Sequence, residues 1–398
     1  MISSEDIIKK VETKRQEALE FLQECIRTPS VTGDEAAMGQ VVTKWIEGAG
    51  LHVDNYEKEQ GRPNLVAEWK GTRDGRRFVF NSHLDVFPPV EGKPGKYGPW
   101  SGVVEDGWIY GRGTVDMKAG LCAGVLAVKY LKEMGFDPAG SVLLTCVSDE
   151  ESMGYKGVRH LLEKGLIKGD FGVCTECTRC KMLVEHGGFI LVEVTFSSES
   201  GHTSAPHPSE DALTKGIKAV QKLQELNKEI MKNYNEEMKA HSLLTVTVIN
   251  SGKQPNMYPS TCKFIIGRRL IPGEKVDEEN ARMRKALDEL QMENPQYDYT
   301  YDYNVQGSME CLVVDPEEEI VKIGREAYRD ITGEENLIYK RGGGSDAATI
   351  MAYEGIPMPN FGPGNDVEES TNENEHLYLE EFYTFIKVYM MMVVKALS

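Results

Sequence analysis

The sequence predicts an α/β protein: a doubly wound, mixed-sheet domain interrupted by an inserted α+β unit of ferredoxin-like order. Three observations carry this. Short apolar runs alternate with helical patterns through the first part, the rhythm changes after about His186 to strand, helix, strand, strand, helix, strand, and the first pattern resumes at Pro316. The expected division is 1–187 with 309–398 for the larger domain and 188–308 for the insert. A chain of 398 residues with 40% hydrophobic content exceeds the usual size of one compact core, which independently favours two domains.

Element by element, an amphipathic helix is expected from about Ser4 to Arg27, with Ile7, Ile8, Val11, Ala18, Leu19 and Leu22 near one stripe and Pro29 beyond its end. A second helix passes through Val41 to Ile46. Strands are expected at Asn64–Glu68, Phe78–Asn81, Val142–Val147 and Phe171–Cys174, with a helix at Gly120–Met134 among them. Ligands of such sheets gather in the crevice beyond the carboxyl ends of the strands. The insert reads as strand Phe189–Phe196, a long helix from about Ser209, strands Leu243–Ile249 and Thr261–Arg269, helix Val276–Met292 and strand Tyr297–Val305. The late apolar stretch Val388–Leu397 is interrupted by Lys395 and falls short of the roughly 20 residues that span a bilayer, so it reads as a buried terminal helix.

Lys and Arg number 45 against 63 Asp and Glu, a formal charge of -18 that disfavours nucleic acid and anionic membranes as partners. The first residues mix charges at helical spacing and lack the apolar run of a secretion signal, so a cytoplasmic protein is expected. Its eight cysteines then read as reduced thiols, mostly in the core. Cys174, Cys177 and Cys180 have C-x2-C-x2-C spacing, but no fourth thiolate at suitable spacing accompanies them.

Four clusters sit where the sheet binds ligands. His83 and Asp85, two apart in an extended segment, point the same way; a carboxylate beside a histidine fixes its tautomer, although a purely structural pair would look the same. Asp116 lies just before the apolar helix, where an anion suits the helix N-terminus as a cap or as a ligand. Asp149, Glu150 and Glu151 follow a strand, and such crowding requires compensating cations or full solvation. Glu176 follows the next strand. One imidazole with several carboxylates is a ligand set for zinc or a similar divalent ion, and a spare glutamate beside a ligand can act as general base. Glu150 and Glu151 can divide these roles.

At SHLDVFP (Ser82–Pro88), GRGTVDMKAG (Gly111–Gly120), SDEE (Ser148–Glu151) and TECT (Thr175–Thr178), the chain resembles the metallohydrolase family of acetylornithine deacetylase, succinyl-diaminopimelate desuccinylase, aminoacylase and bacterial glutamate carboxypeptidase. The resemblance covers nearly the whole chain. It implies that His83 and Glu176 hold one metal, Glu151 the other, and Asp116 bridges them, with Asp85 orienting His83 and Glu150 acting as general base. It also implies that the insert is a lid and dimerisation domain. GHTSAP (Gly201–Pro206) is similar to the family's histidine motif, which implies that His202 stabilises the oxyanion, in the partner subunit's site. Asn256 and Arg269, within NMYPSTCKFIIGRRLIPGE, match substrate-binding positions, and Gly344, within GGGSDA, lies in the loop that closes on the substrate carboxylate.

The expected enzyme is therefore a metal-dependent amidohydrolase acting on an N-acyl amino acid or short peptide with a free carboxylate. It is expected to form a homodimer and to use one or two zinc ions per subunit, replaceable by cobalt or manganese. A di- or tripeptidase of the same family and a catalytically silent binding protein are the alternatives. One departure bears on the second ion. The family's last ligand, a histidine, precedes an Asn-Glu or Asp-Glu pair by three residues; with Asn374-Glu375 as that pair, Thr371 occupies the position. His376, Glu369 and Glu373 are the candidates to replace it.

Overall fold

The computed structural model describes residues 2–93, 95–303, 307–366, 370 and 372–398. It divides into two compact units, one comprising Met1–Val184, Val314–Tyr339 and Ser345–Ser398, the other Glu185–Val313 and Lys340–Gly344. The division expected from the sequence differs at 185–187, at 309–313 and at the glycine-rich segment 340–344, all of which belong to the second unit rather than the first. Here Lys340 pairs with Glu185 at 2.8 Å and the Gly187 N–H donates to the Arg341 carbonyl at 3.2 Å, so 340–344 is tied to the second unit.

The first unit is built on a mixed five-stranded sheet, in the order Asp54–Asn55, Leu65–Lys70, Ala139–Val147, Arg73–His83, Phe171–Cys174. The last three strands are parallel; Leu65–Lys70 runs antiparallel to Ala139–Val147. The parallel strands read as continuous apolar runs because both faces of the sheet's centre are covered. Two helices, Lys118–Glu133 and Leu379–Leu397, are buried almost all round, and they pack on each other and on the central strand. The terminal apolar stretch is thus a core helix, and among the described residues no helix is long and apolar enough to cross a membrane.

The N-terminal helix is two, Ser4–Thr13 and Arg15–Arg27, parted at Lys14, whose N–H turns back to the Val11 carbonyl at 2.9 Å. Each half keeps its apolar stripe buried, Ile7 and Val11 in the first and Ala18, Phe21, Leu22, Cys25 and Ile26 in the second.

In the second unit, strands Gly188–Ser197, Leu243–Ser251, Thr261–Leu270 and Tyr299–Asp302 alternate with helices Ala212–Ile230 and Val276–Glu293 as the sequence predicts. The sheet is antiparallel, with the third strand between the second and first and the fourth beyond the first. Val305, the expected end of the last strand, lies outside the described residues. Strand residues Ile190, Val192, Val194, Phe196, Phe264 and Ile266 alternate inward onto Leu223, Met283 and Leu287 of the helices. Arg268 is fully buried there, its guanidinium held by Glu279 at 2.7 Å and Glu274 at 3.0 Å.

Candidate metal centre

His83 is the last residue of the strand Arg73–His83, which lies between Ala139–Val147 and Phe171–Cys174, and is buried. Its Nδ1 lies 2.8 Å from the Asp85 backbone carbonyl, which can only accept, so Nδ1 carries a proton and Nε2 is turned toward the carboxylates. The expected carboxylate partner plays another part: Asp85 Oδ1 is 3.6 Å from Nδ1, and its oxygens instead accept the N–H groups of Glu150 and Glu151, each at 3.2 Å, and the Thr32 hydroxyl at 2.9 Å. The segment after His83 therefore fixes the imidazole with a main-chain oxygen and the glutamate turn with a side chain.

That turn sorts the acidic run. Asp149 adopts a left-handed conformation, φ 73° and ψ 8°, and its carboxylate takes Arg62 Nη1 at 2.8 Å and the Lys156 N–H at 2.9 Å. Arg62 also grips Glu35, so Asp149 is paired within a buried ion network in which one guanidinium serves two carboxylates. Glu150 and Glu151 are left to face His83.

The Asp116 loop is shaped by a residue that the sequence marks only as half of the Asn374-Glu375 pair. Glu375, fully buried, accepts at Oε1 from the N–H groups of Gly113 at 3.0 Å, Val115 at 2.9 Å and Asp116 at 3.2 Å, while Oε2 meets Arg112 Nη1 at 2.5 Å. A buried carboxylate thus satisfies three main-chain donors and one guanidinium. Past this loop, Lys118 donates to the carbonyls of Cys25 and Thr28, 2.9 Å each, and burial pushes its ammonium down to about 8. The following helix lies so close to the Glu176 loop that a Cβ at Gly120 would sit 1.8 Å from the Thr175 carbonyl oxygen.

These elements converge. His83 Nε2 lies 3.2 Å from Asp116 Oδ1, 3.6 Å from Glu176 Oε1 and 3.9 Å from Glu150 Oε2. Donor atoms of His83, Glu150 and Glu176 come within 4.8 Å of one another, as do those of His83, Asp116 and Glu151, and those of Asp116, Glu176 and Cys177. Burial raises the carboxyls of Glu150 and Glu151 well above the ordinary range, and neighbouring carboxylates, Glu176 and Asp346 for Glu150 and Asp116 for Glu151, raise them further. Burial works against the charged imidazole of His83, but the Asp116 hydrogen bond and the charges of Glu150 and Glu176 hold it well above its usual value. Glu151 Oε1 is shut away from solvent with no hydrogen-bond partner among the described residues. So dense a set of buried oxygens fits one or two divalent ions, which would replace the missing positive charge and occupy that orphaned oxygen.

Asp346 joins the same neighbourhood. Asn81 Nδ2 reaches its Oδ2 at 3.4 Å and its Oδ1 has no partner among the described residues; burial, with the charges of Asp85 and Glu176, pushes it up to about 7. Sequence pattern marks it only as a member of the GGGSDA segment.

His376 does not join the centre. It lies on the strand His376–Tyr378, its Nδ1 2.6 Å from the Asn374 carbonyl and its ring stacked on Tyr110 with centroids 5.4 Å apart. Aromatic packing, with Trp108 also at 4.9 Å, takes the imidazole that the sequence offered as a substitute ligand. Glu373 is exposed and belongs to none of the three donor groups. Thr371 and Glu369 lie outside the described residues. Of the cysteine run, Cys174 ends a strand, its Sγ receiving Asn81 Nδ2 at 3.6 Å, and Cys180 is partly exposed; only Cys177 enters a donor group.

Within the second unit, His202 and Asn256 are neighbours, with Nε2 and Nδ2 3.3 Å apart, and Ser204 Oγ lies 2.8 Å from His202 Nδ1. Arg269 is exposed, its guanidinium 4.1 Å from the Phe189 ring centre. Buried Arg268, its neighbour, points to the opposite face of the strand, so only Arg269 presents its fork to solvent. At Gly344 a Cβ would come 2.3 Å from Met309 Sδ, which leaves little room for any side chain.

Comparison with known proteins gives one family. The sequence model of peptidase family M20/M25/M40 matches residues 79–395. The chain is 25% identical to an N-formyl-4-amino-5-aminomethyl-2-methylpyrimidine deformylase of Halalkalibacterium halodurans, covering 98% of this chain and 96% of that protein. It is 27% identical to a succinyl-diaminopimelate desuccinylase of Paracoccus denitrificans, covering 85% and 87%. Among solved structures, an M20 family metallo-carboxypeptidase from Sulfolobus solfataricus superposes with a TM-score of 0.76 at 18% identity, over 95% of this chain and 98% of that one. The YXEP protein of Bacillus subtilis, described as a dinuclear metal binding peptidase, gives 0.70 at 15% identity, over 97% and 99%. With the match extending from the strand that ends at His83 to the terminal helix, the chain belongs to peptidase family M20/M25/M40 and is a hydrolase of that family.

Proposed function

We propose that this chain hydrolyses the amide bond of an N-acyl amino acid or short peptide bearing a free carboxylate, as a cytoplasmic homodimer with one or two zinc ions per subunit. Cobalt or manganese would serve in place of zinc, since the donor set is rich in oxygen. The observation that carries the reading is that two adjacent glutamates reach one buried centre, Glu151 beside His83 and Asp116, Glu150 beside His83 and Glu176. One carboxylate can hold an ion while its neighbour moves a proton. A binding protein has no need of that second carboxylate.

Divalent ions held by His83, Asp116, Glu151 and Glu176 would polarise the amide carbonyl and lower the pKa of an attacking water. Glu150 takes a proton from that water and delivers it to the amine nitrogen as the C–N bond breaks. The Asp85 carbonyl keeps Nε2 of His83 turned inward. His202, reaching the partner subunit's site, and Asn256 offer hydrogen bonds to the developing oxyanion and the substrate. Arg269 grips the carboxylate with two parallel hydrogen bonds, and the Gly344 loop closes over it. The names of both curated relatives state removal of an acyl group, succinyl in one and formyl in the other, which favours a deacylase. A screen of N-acetyl, N-succinyl, N-formyl and N-carbamoyl amino acids against dipeptides tests this: a strict need for a free substrate amino group would move the assignment to a di- or tripeptidase.

Arg269→Ala should lower kcat/KM for free-acid substrates about ten- to a hundredfold, as expected for a charged hydrogen bond worth about 1.5–3 kcal/mol, while leaving stability within about 0.5 kcal/mol because the side chain is exposed. Equal cleavage of carboxyl-amidated substrates by the unsubstituted enzyme would refute this class of substrate. Mixing inactive His202→Ala with inactive Glu150→Ala subunits should restore activity, because one site of a mixed dimer regains both groups. Absence of rescue after proven subunit exchange would place His202 in its own chain's site.

A further inference from the structure

We propose that Cys177 is a metal ligand, supplying a thiolate on the Asp116 side of the centre and biasing it toward thiophilic divalent ions. The inference rests on the metal-centre reading above and adds to it a ligand and a metal preference.

The placement is specific. Cys177 Sγ and carboxylate oxygens of Asp116 and Glu176 lie within 4.8 Å of one another, and Cys177 is 1% exposed. Donors about 2.0–2.3 Å from a tetrahedral ion sit about 3.5 Å apart, so small side-chain rotations would close the set around one ion. The loop carrying both Glu176 and Cys177 is pinned at each end. The Thr175 N–H donates to the Asn81 carbonyl at 3.0 Å, and Thr178 Oγ1 exchanges hydrogen bonds with the Gly362 main chain at 3.1 and 3.2 Å. A backbone so held presents the thiol to the carboxylates without the ordering cost a mobile loop would carry.

The chemistry supports the same conclusion. Across the three donor groups the only imidazole is that of His83; every other donor except Cys177 is a carboxylate. A centre of one nitrogen and otherwise oxygens suits magnesium, calcium or manganese as well as zinc, whereas one thiolate shifts the preference toward zinc, cobalt and cadmium. An independent feature marks the same centre as built for cations: Glu151, grouped with Asp116 and His83, keeps Oε1 buried without a partner.

The test uses apoprotein titrated with cobalt(II) and followed by absorption. The expected result is stoichiometric binding with a near-ultraviolet sulfur-to-cobalt charge-transfer band. That band should vanish in Cys177→Ser and persist in Cys174→Ser and Cys180→Ser. Cobalt affinity of Cys177→Ser should fall about ten- to a hundredfold or more, since loss of even a partner behind a ligand costs that much. Cadmium NMR on the unsubstituted protein gives an answer that does not depend on the variant folding, because a thiolate ligand moves the cadmium resonance strongly downfield. Stoichiometric cobalt binding with no such band, a band unchanged in Cys177→Ser, or a cadmium shift typical of oxygen and nitrogen ligands alone would overturn the role of Cys177 and leave the metal centre standing. Failure of the apoprotein to bind any divalent ion would overturn both.

Discussion

Glu150→Ala is expected to keep its metal and lose hydrolysis by about a hundred- to ten-thousandfold in kcat, the range proton transfer by a positioned side chain contributes. The expectation comes from how the turn after the strand Ala139–Val147 separates its carboxylates. Asp149 is committed to Arg62, while Asp85 holds the main-chain N–H groups of both Glu150 and Glu151, so removing one side chain does not release the turn. His83, Asp116, Glu151 and Glu176 remain to hold ions. Removing Glu150 takes away one nearby negative charge and so weakens the attraction for a cation somewhat, but all four ligand residues stay in place, so most of the bound metal should be kept. Metal analysis beside single-turnover kinetics reads the two effects apart. Near-normal turnover in the metal-loaded variant would take Glu150 out of the mechanism, and loss of metal in proportion to activity would make it a ligand.

Glu375→Ala is expected to be as damaging by a different route. It would leave the N–H groups of Gly113, Val115 and Asp116 and the Arg112 guanidinium without their shared acceptor in a buried setting. Removing one partner of a buried charge pair typically costs about 3–5 kcal/mol, a large share of a domain's stability. Because Asp116 is one of the residues released, divalent-ion affinity should fall together with the unfolding free energy. Glu375→Gln, which keeps an oxygen for the main-chain donors but loses the charge facing Arg112, should recover part of the stability. Denaturant unfolding and metal titration on the three proteins check this. An alanine variant of unchanged stability and metal affinity would mean that the loop holds its shape without Glu375.

What was legible in the sequence depended on local pattern. The parallel strands were visible as apolar runs, and the clusters His83, Asp116, Glu150, Glu151 and Glu176 stood out because each follows a strand or opens a helix. The strand ending at His83 begins at Arg73, five residues before its apolar part, since Arg73–Arg77 is mostly exposed and charged and carries no burial signal. The short sheet of Val103–Glu105, Trp108–Tyr110 and His376–Tyr378 was invisible for a similar reason: three-residue strands are too brief for a period to register. The N-terminal stripe survived the break at Lys14 because each half-helix buries its own apolar face, so periodicity alone did not reveal two helices.

Roles decided at long range were harder to read. Three consecutive acidic residues look alike until Arg62, 87 residues away, claims Asp149. Glu375 acts 259 residues from Asp116, through main-chain donors that no side-chain motif encodes. His376 was plausible as a ligand by proximity in sequence, but its strand pairs with Trp108–Tyr110, and those aromatic rings take the imidazole. Cys177 was hidden by its spacing from Cys174 and Cys180, which suggested a shared fate; the loop after the strand gives each of the three a different neighbourhood.

The proposed activity places hydrolysis of acylated, carboxylate-bearing amides on the buried carboxylate and histidine centre. Its most direct measurement is hydrolysis of the N-acyl amino acid panel by one preparation before chelation, after removal of divalent ions, and after return of measured equivalents of zinc. The expected result is cleavage of at least one free-acid substrate, its loss in the metal-free protein, and its recovery with one or two zinc ions per chain. Undiminished hydrolysis by verified metal-free protein, or no hydrolysis of any acyl amino acid or peptide by protein with zinc bound at the centre, would contradict it.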